Sequence, residues 1–130
     1  MKKIFFLFAA ITALTITSCK QQVEEYNMIG TWKIDSYYEN GNDQTTLFKS
    51  VFVNYLLTFN ISGTYLETYT ALGIDVTKGG PWELINNGDD LKLTNQVDSN
   101  VRYFHIIEIN PNSSKVSEDS GNKEYHLLKN

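Results

Sequence analysis

The chain has 130 residues, 11 Lys and Arg against 15 Asp and Glu, a net charge of −4 and a single cysteine. One cysteine rules out an internal disulfide. The acidic balance, with no Lys/Arg cluster beyond the N-terminus, argues against binding nucleic acid or an anionic lipid surface by charge.

In chain order, the first eighteen residues read as a targeting segment. Lys2 and Lys3 precede an uncharged apolar run from Ile4 to Ile16, and Ile16-Thr17-Ser18 leads into Cys19. Such a run is too short to span a bilayer, which takes about 20 residues. A cleavable signal is therefore expected over 1–18. Its loss removes two lysines and takes the net charge from −4 to −6. Ile16-Thr17-Ser18-Cys19 resembles the lipobox of bacterial lipoproteins. The resemblance implies lipidation of the Cys19 thiol by acyl chains such as palmitate and anchoring in the outer membrane, facing periplasm or cell surface. Each buried CH₂ of an acyl chain contributes about 0.8 kcal/mol, so two or more chains give a stable anchor. The competing reading is a chance cysteine beside the cleavage site of a secreted protein. Residues 19–28 read as the lipidated cysteine and a flexible tether, and 29–130 as one domain.

No long segment of that domain has helical periodicity. Short β-branched and aromatic runs alternate with Gly, Asn, Asp and Pro, which predicts an all-β fold. Strands are expected at Thr31–Tyr38, Val51–Asn60, Thr64–Ala71, Ile74–Thr77, Pro81–Ile85, Asp90–Asn95, Val101–Asn110, Ser114–Glu118 and Lys123–Lys129. The longest break, Asn40–Ser50, has room for a helical turn at Thr46–Ser50. Asn87-Gly88 suits a type I′ turn, which pairs Leu84 with Leu91 and Trp82 with Leu93 on one face. Asn60 to Thr64 admits two registers. A type I turn with a glycine bulge pairs Leu57 with Glu67 and turns Glu67 inward; a two-residue Ser62-Gly63 turn pairs Phe59 with Leu66 and turns it out. Turn chemistry favours the bulge.

Gly30-Thr31-Trp32 opens the first strand, Phe59 to Tyr65 gives Phe-x-x-x-Gly-Thr-Tyr at a hairpin, Gly80-Pro81-Trp82 precedes another, and Glu124-Tyr125-His126-Leu127-Leu128 closes the chain. In this order the motifs resemble the small lipocalin-like lipoproteins of Gram-negative bacteria over nearly all of 29–130. The resemblance implies an antiparallel up-and-down barrel of about eight strands. It also implies a small hydrophobic or amphipathic ligand, and a monomer. Arg102, the sole arginine, is the candidate for the lipocalin arginine that caps the barrel floor beneath the tryptophan.

An eight-stranded barrel is just wide enough to fill itself or to hold one small ligand. Trp32, Tyr55, Tyr65, Tyr69 and Trp82 are the candidate ligand-binding rings, with an inward Glu67 as an anchor for a ligand amine or hydroxyl. If the rings fill the barrel instead, a protein-interaction or accessory role at the cell envelope is the alternative. Lipidation leaves no Cys for a nucleophile, and no Gly-x-Ser-x-Gly, His-Glu-x-x-His or phosphate-cradling Gly loop is present, so neither catalysis nor a cofactor is expected. His105 and His126, on strands that could be neighbours, are the one pair to weigh for zinc, against a plain surface role.

Overall fold

The computed structural model describes residues 19–130; the expected signal segment, including Ile16, Thr17 and Ser18, lies outside them. The strands are β1 (Gly30–Glu39), β2 (Asn42–Asp43), β3 (Val53–Phe59), β4 (Thr64–Ala71), β5 (Ile74–Ile85), β6 (Asp90–Thr94), β7 (Val101–Ile109), β8 (Ser113–Glu118) and β9 (Lys123–Lys129). Helices α1 (residues 19–28) and α2 (Thr45–Val51) complete the fold. From β3 onward each strand pairs antiparallel with the next, and β1 pairs with β2, β3 and β9. This closes β1 and β3–β9 into an eight-stranded barrel, while β2 only extends one end of β1. Closure leaves no long edge open to pair with another chain.

Turn chemistry sets the register. Asn60 N–H donates to Thr64 O at 2.8 Å, Gly63 N–H donates to Asn60 O at 3.0 Å, and Gly63 has φ +86°. The glycine bulge is thus the one adopted, with Phe59 opposite Tyr65 and Leu57 opposite Glu67. At the β5–β6 turn Asn87 and Gly88 have φ 59° and 87°, the positive values a type I′ turn requires. Trp82 faces Leu93 and Leu84 faces Leu91 there, as the pattern predicts. The two short strands expected at Ile74–Thr77 and Pro81–Ile85 are one, because Lys78, Gly79 and Gly80 continue the ladder with β4. A Cβ at Gly80 would stand 2.0 Å from Thr94 O, so only glycine allows β5 past the end of β6.

The barrel divides along its axis. At the end where β1 begins, Trp32, Phe59, Tyr65, Trp82, Leu91 and Leu93 are buried and pack solid. Trp82 Nε1 donates to Asn60 O at 3.1 Å and its ring meets Phe59 edge-on. Helix α1 closes this end, which corrects the expectation of a flexible tether. Met28 is 1% exposed, and its carbonyl accepts the Trp32 indole N–H at 2.8 Å. Gln21 Nε2 reaches Leu84 O at 3.3 Å, and Lys20 pairs with Asp89 at 2.9 Å. The sequence hid this helix because Lys20 to Asn27 is almost wholly polar. Its apolar contact is concentrated in one residue, Met28, rather than spread along a periodic stripe.

Candidate functional site: an aromatic cup with a charged floor

The other end of the barrel is open. The inner row of β3 and β4 climbs from Phe59 and Tyr65 through Leu57 and Glu67 to Tyr55 and Tyr69, whose rings stack with centroids 6.0 Å apart. Irregularities in the strands complete the wall. Register slips between Ile34 and Ser36, so Tyr37 rather than Ser36 is the buried residue. A second slip lies between Val53 and Leu56, where Asn54 has φ 55°. Each bulge adds a residue and reverses the in/out alternation beyond it.

Helix α2 lies across part of this opening. Thr45 fixes its start, giving its N–H to Asp43 Oδ1 and accepting the Tyr37 N–H on Oγ1, each at 2.9 Å. Phe48 then meets Tyr37 at 4.8 Å, Phe52 at 4.7 Å and Tyr55 at 5.6 Å, centroid to centroid. The result is a cavity of about 440 Å³. Tyr37, Phe48, Phe52, Tyr55, Tyr69 and Tyr125 give it an aromatic wall, and Glu39, Lys78 and Lys123 lie around it.

Its floor is ionic. Arg102 gives Nε–H and Nη2–H to the two Glu118 oxygens at 2.8 and 2.9 Å, a bidentate pair. Its Nη1 reaches Glu67 Oε2 at 3.3 Å. Tyr55 donates its hydroxyl to the same Glu67 oxygen, and Tyr125 donates to Glu118 Oε2 at 3.0 Å. Glu67 is 5% exposed, so these partners offset a costly desolvation. Burial alone would lower the Arg102 pKa. The hydrogen bonds and charge of Glu118, with Glu67 behind them, outweigh it and hold the guanidinium above its ordinary value. Burial raises the Tyr55 and Tyr125 phenols, and the adjacent carboxylates add to the rise. At neutral pH the floor therefore holds two neutral phenol donors and a fixed guanidinium.

Of the six sequence candidates, Tyr55, Glu67 and Tyr69 line this cavity together. Trp32, Tyr65 and Trp82 belong to the packed end and do not line it. Arg102 is not beneath the tryptophan; the cation on Trp32 is Lys129, whose Nζ sits 4.8 Å from the ring and donates to Asn27 O at 2.9 Å. Tyr37, Phe48, Phe52, Glu118 and Tyr125 also line the cup and were not among the sequence candidates. Phe48 and Phe52, four apart beside a helical turn, were the available signal for two of them. The bulge that turns Tyr37 inward has no comparable mark. His105 and His126 are on β7 and β9, with β8 between them, and pair separately with Asp90 and Glu124. Among the described residues no group of three His, Cys, Asp or Glu is placed to hold a metal ion.

A closed antiparallel barrel, packed at one end and hollow at the other, is a lipocalin-type architecture. The chain belongs to the lipocalin-like domain family, whose model matches residues 28–113. Among solved structures it is similar to a lipocalin-like protein from Bacteroides uniformis, with TM-score 0.64 and 12% identity over 80% of this chain and 99% of that one. It is also similar to a DUF4847 family protein from Bacteroides vulgatus, with TM-score 0.58 and 12% identity over 83% of this chain and 97% of that one. At that identity the likeness is one of fold. No curated protein matches the chain.

Proposed function

We propose that the domain is a binding protein that takes a small, partly apolar molecule into the cup. The observation that carries this is the coexistence of a packed half and a hollow half in one barrel. The packed end supplies most of the core, joined by Tyr37 and Tyr125 at the cavity wall, and the partly buried rings of Phe48, Phe52, Tyr55 and Tyr69 are left to serve a ligand. A volume of about 440 Å³ lies within the range of small-molecule sites, and an apolar wall with a few convergent polar groups is their usual lining. The reading is binding rather than catalysis, because among the described residues the floor groups are committed to one another, Tyr55 to Glu67 and both Arg102 and Tyr125 to Glu118.

The test is a titration of the full chain with N-phenylnaphthylamine, an uncharged dye that brightens in apolar surroundings. The dye's own emission is the right readout, since Trp32 and Trp82 lie outside the cup. Saturable binding is expected, weakened in Tyr55→Ala and Tyr69→Ala with circular dichroism unchanged. Absence of saturable binding would favour a protein partner instead. Leu47, Val51, Leu72 and Ile74, all exposed beside α2 and at the β4–β5 tip, are the apolar residues for such a contact.

We also propose that a lipidated Cys19 holds this cup at the outer membrane. Cys19 is exposed and is the first described residue of α1. With α1 seated on the closed end, an anchor there would direct the cup away from the bilayer. Ten helical residues span about 15 Å, so the barrel would sit close to the headgroups. Cys19→Ala is expected to abolish fatty-acid labelling and release the protein from membranes; unchanged membrane association would overturn the anchor.

A further inference from the structure

The floor of the cup is unbalanced in charge and in donors. It carries Glu67 and Glu118 against Arg102 alone, one negative charge in excess. Arg102 has committed its side-on pair, Nε and Nη2, to Glu118 and an Nη1 hydrogen to Glu67, so three of its five N–H groups already serve carboxylates of the floor. Both Glu118 oxygens are likewise engaged, one by Arg102 and the other by Arg102 and Tyr125. Glu67 differs. Tyr55 and Arg102 both converge on its Oε2, and among the described residues no donor reaches its Oε1. A carboxylate on a residue 5% exposed thus lines the cavity with one acceptor oxygen unclaimed.

The rings around it suit the same charge. Tyr55 and Tyr69 stack nearly parallel, at 18°, and Phe48 meets Tyr55 edge-on at 71°. Aromatic faces attract cations and accept flat apolar bodies. The other charged groups of the cavity are Glu39, Lys78 and Lys123, of which Glu39 and Lys78 are exposed. Lys123 is turned to Asp119 at 3.1 Å, and Lys78 stands 5.8 Å from the Tyr69 ring. The lining as a whole balances three acids against three bases, so the negative excess is local to the floor, where Glu67 and Glu118 face Arg102 alone.

We propose that the occupant of the cup is an organic ammonium on a flat apolar body, its nitrogen donating to Glu67 Oε1 and its body lying among Phe48, Phe52 and Tyr69. This rests on the ligand-binding reading above and specifies its substrate class. The ammonium supplies the missing donor and cancels the excess charge. A hydroxyl supplies the donor alone, and a carboxylate supplies neither.

Three indoles that differ only in head group separate these cases: tryptamine, tryptophol and indoleacetate. In equilibrium dialysis against the full chain at neutral pH, tryptamine is expected to bind at least about tenfold more tightly than tryptophol, as a charge-assisted hydrogen bond to a buried carboxylate implies. Indoleacetate is expected to bind most weakly. Glu67→Gln should erase the advantage of tryptamine and leave tryptophol unchanged. Should that variant not fold, the ranking on the unaltered chain decides. Equal or tighter binding of tryptophol or indoleacetate, or binding of N-phenylnaphthylamine without tryptamine, overturns the ammonium class while the cup stands. Failure of all four ligands overturns both.

Discussion

Glu67 faces the cup because of Gly63. The two hairpin registers open to the sequence differ by one residue, and a one-residue slip sends every side chain of β4 to the opposite face. Gly63 decides between them by taking φ +86° at the bulge, a conformation that costs an L-residue about 1–2 kcal/mol. No atom lies within 4 Å of where its Cβ would be, so conformation is its only constraint. Gly63→Ala is therefore expected to destabilise the fold by about 1–2 kcal/mol in urea unfolding, without a steric penalty. A neutral result would contradict the bulged turn. Residues of this kind were legible in the sequence: Asn60-Ile61-Ser62-Gly63 and Asn86-Asn87-Gly88 announce their turns, and the turns fix which residues share a face. Tyr37 was not legible. Its direction depends on a slip between Ile34 and Ser36 that no glycine or proline marks.

At the scale of elements, the two helices explain why the barrel is solid at one end and hollow at the other. Helix α1 fills the base with Met28, against the Trp32 indole. Helix α2 lays Phe48 over the cup but carries no fully buried residue, so it covers the cavity without filling it. The strands were readable from alternation and turn residues, and α2 from the helical turn expected there. Helix α1 was not, since a polar ten-residue segment has no isolated preference strong enough to declare itself. Its stability comes from tertiary contact, which gives a direct check. Met28→Ala removes a side chain that is 1% exposed and is expected to cost about 2–5 kcal/mol by urea denaturation. A flexible tether would make the same substitution silent.

For the molecule as a whole, concentrating tyrosines in and beside the cup ties stability to alkaline pH. Tyr37, Tyr55, Tyr65 and Tyr125 all have phenols raised above the ordinary value of 10.0, by burial first and by neighbouring carboxylates second. Above that pH the unfolded chain loses these protons while the folded chain keeps them. Stability therefore falls as pH rises through 10.0 and keeps falling until the folded phenols ionise. Thermal unfolding followed between neutral pH and the alkaline range should show this decline. Flat stability past 10.0 would mean that these phenols are solvated. The same arrangement leaves the molecule with a packed base carrying most of the core and a hollow, aromatic-walled cup. On the binding reading, a ligand enters the second of these. A photoreactive diazirine bearing a small aromatic group, cross-linked to the full chain and mapped by peptide mass spectrometry, tests it directly. Saturable labelling of Phe48, Phe52, Tyr55, Tyr69 and Tyr125, competed by unlabelled ligand, is the predicted result. Labelling confined to the outer wall, or to exposed residues such as Leu72 and Ile74 with the cup untouched, would contradict it.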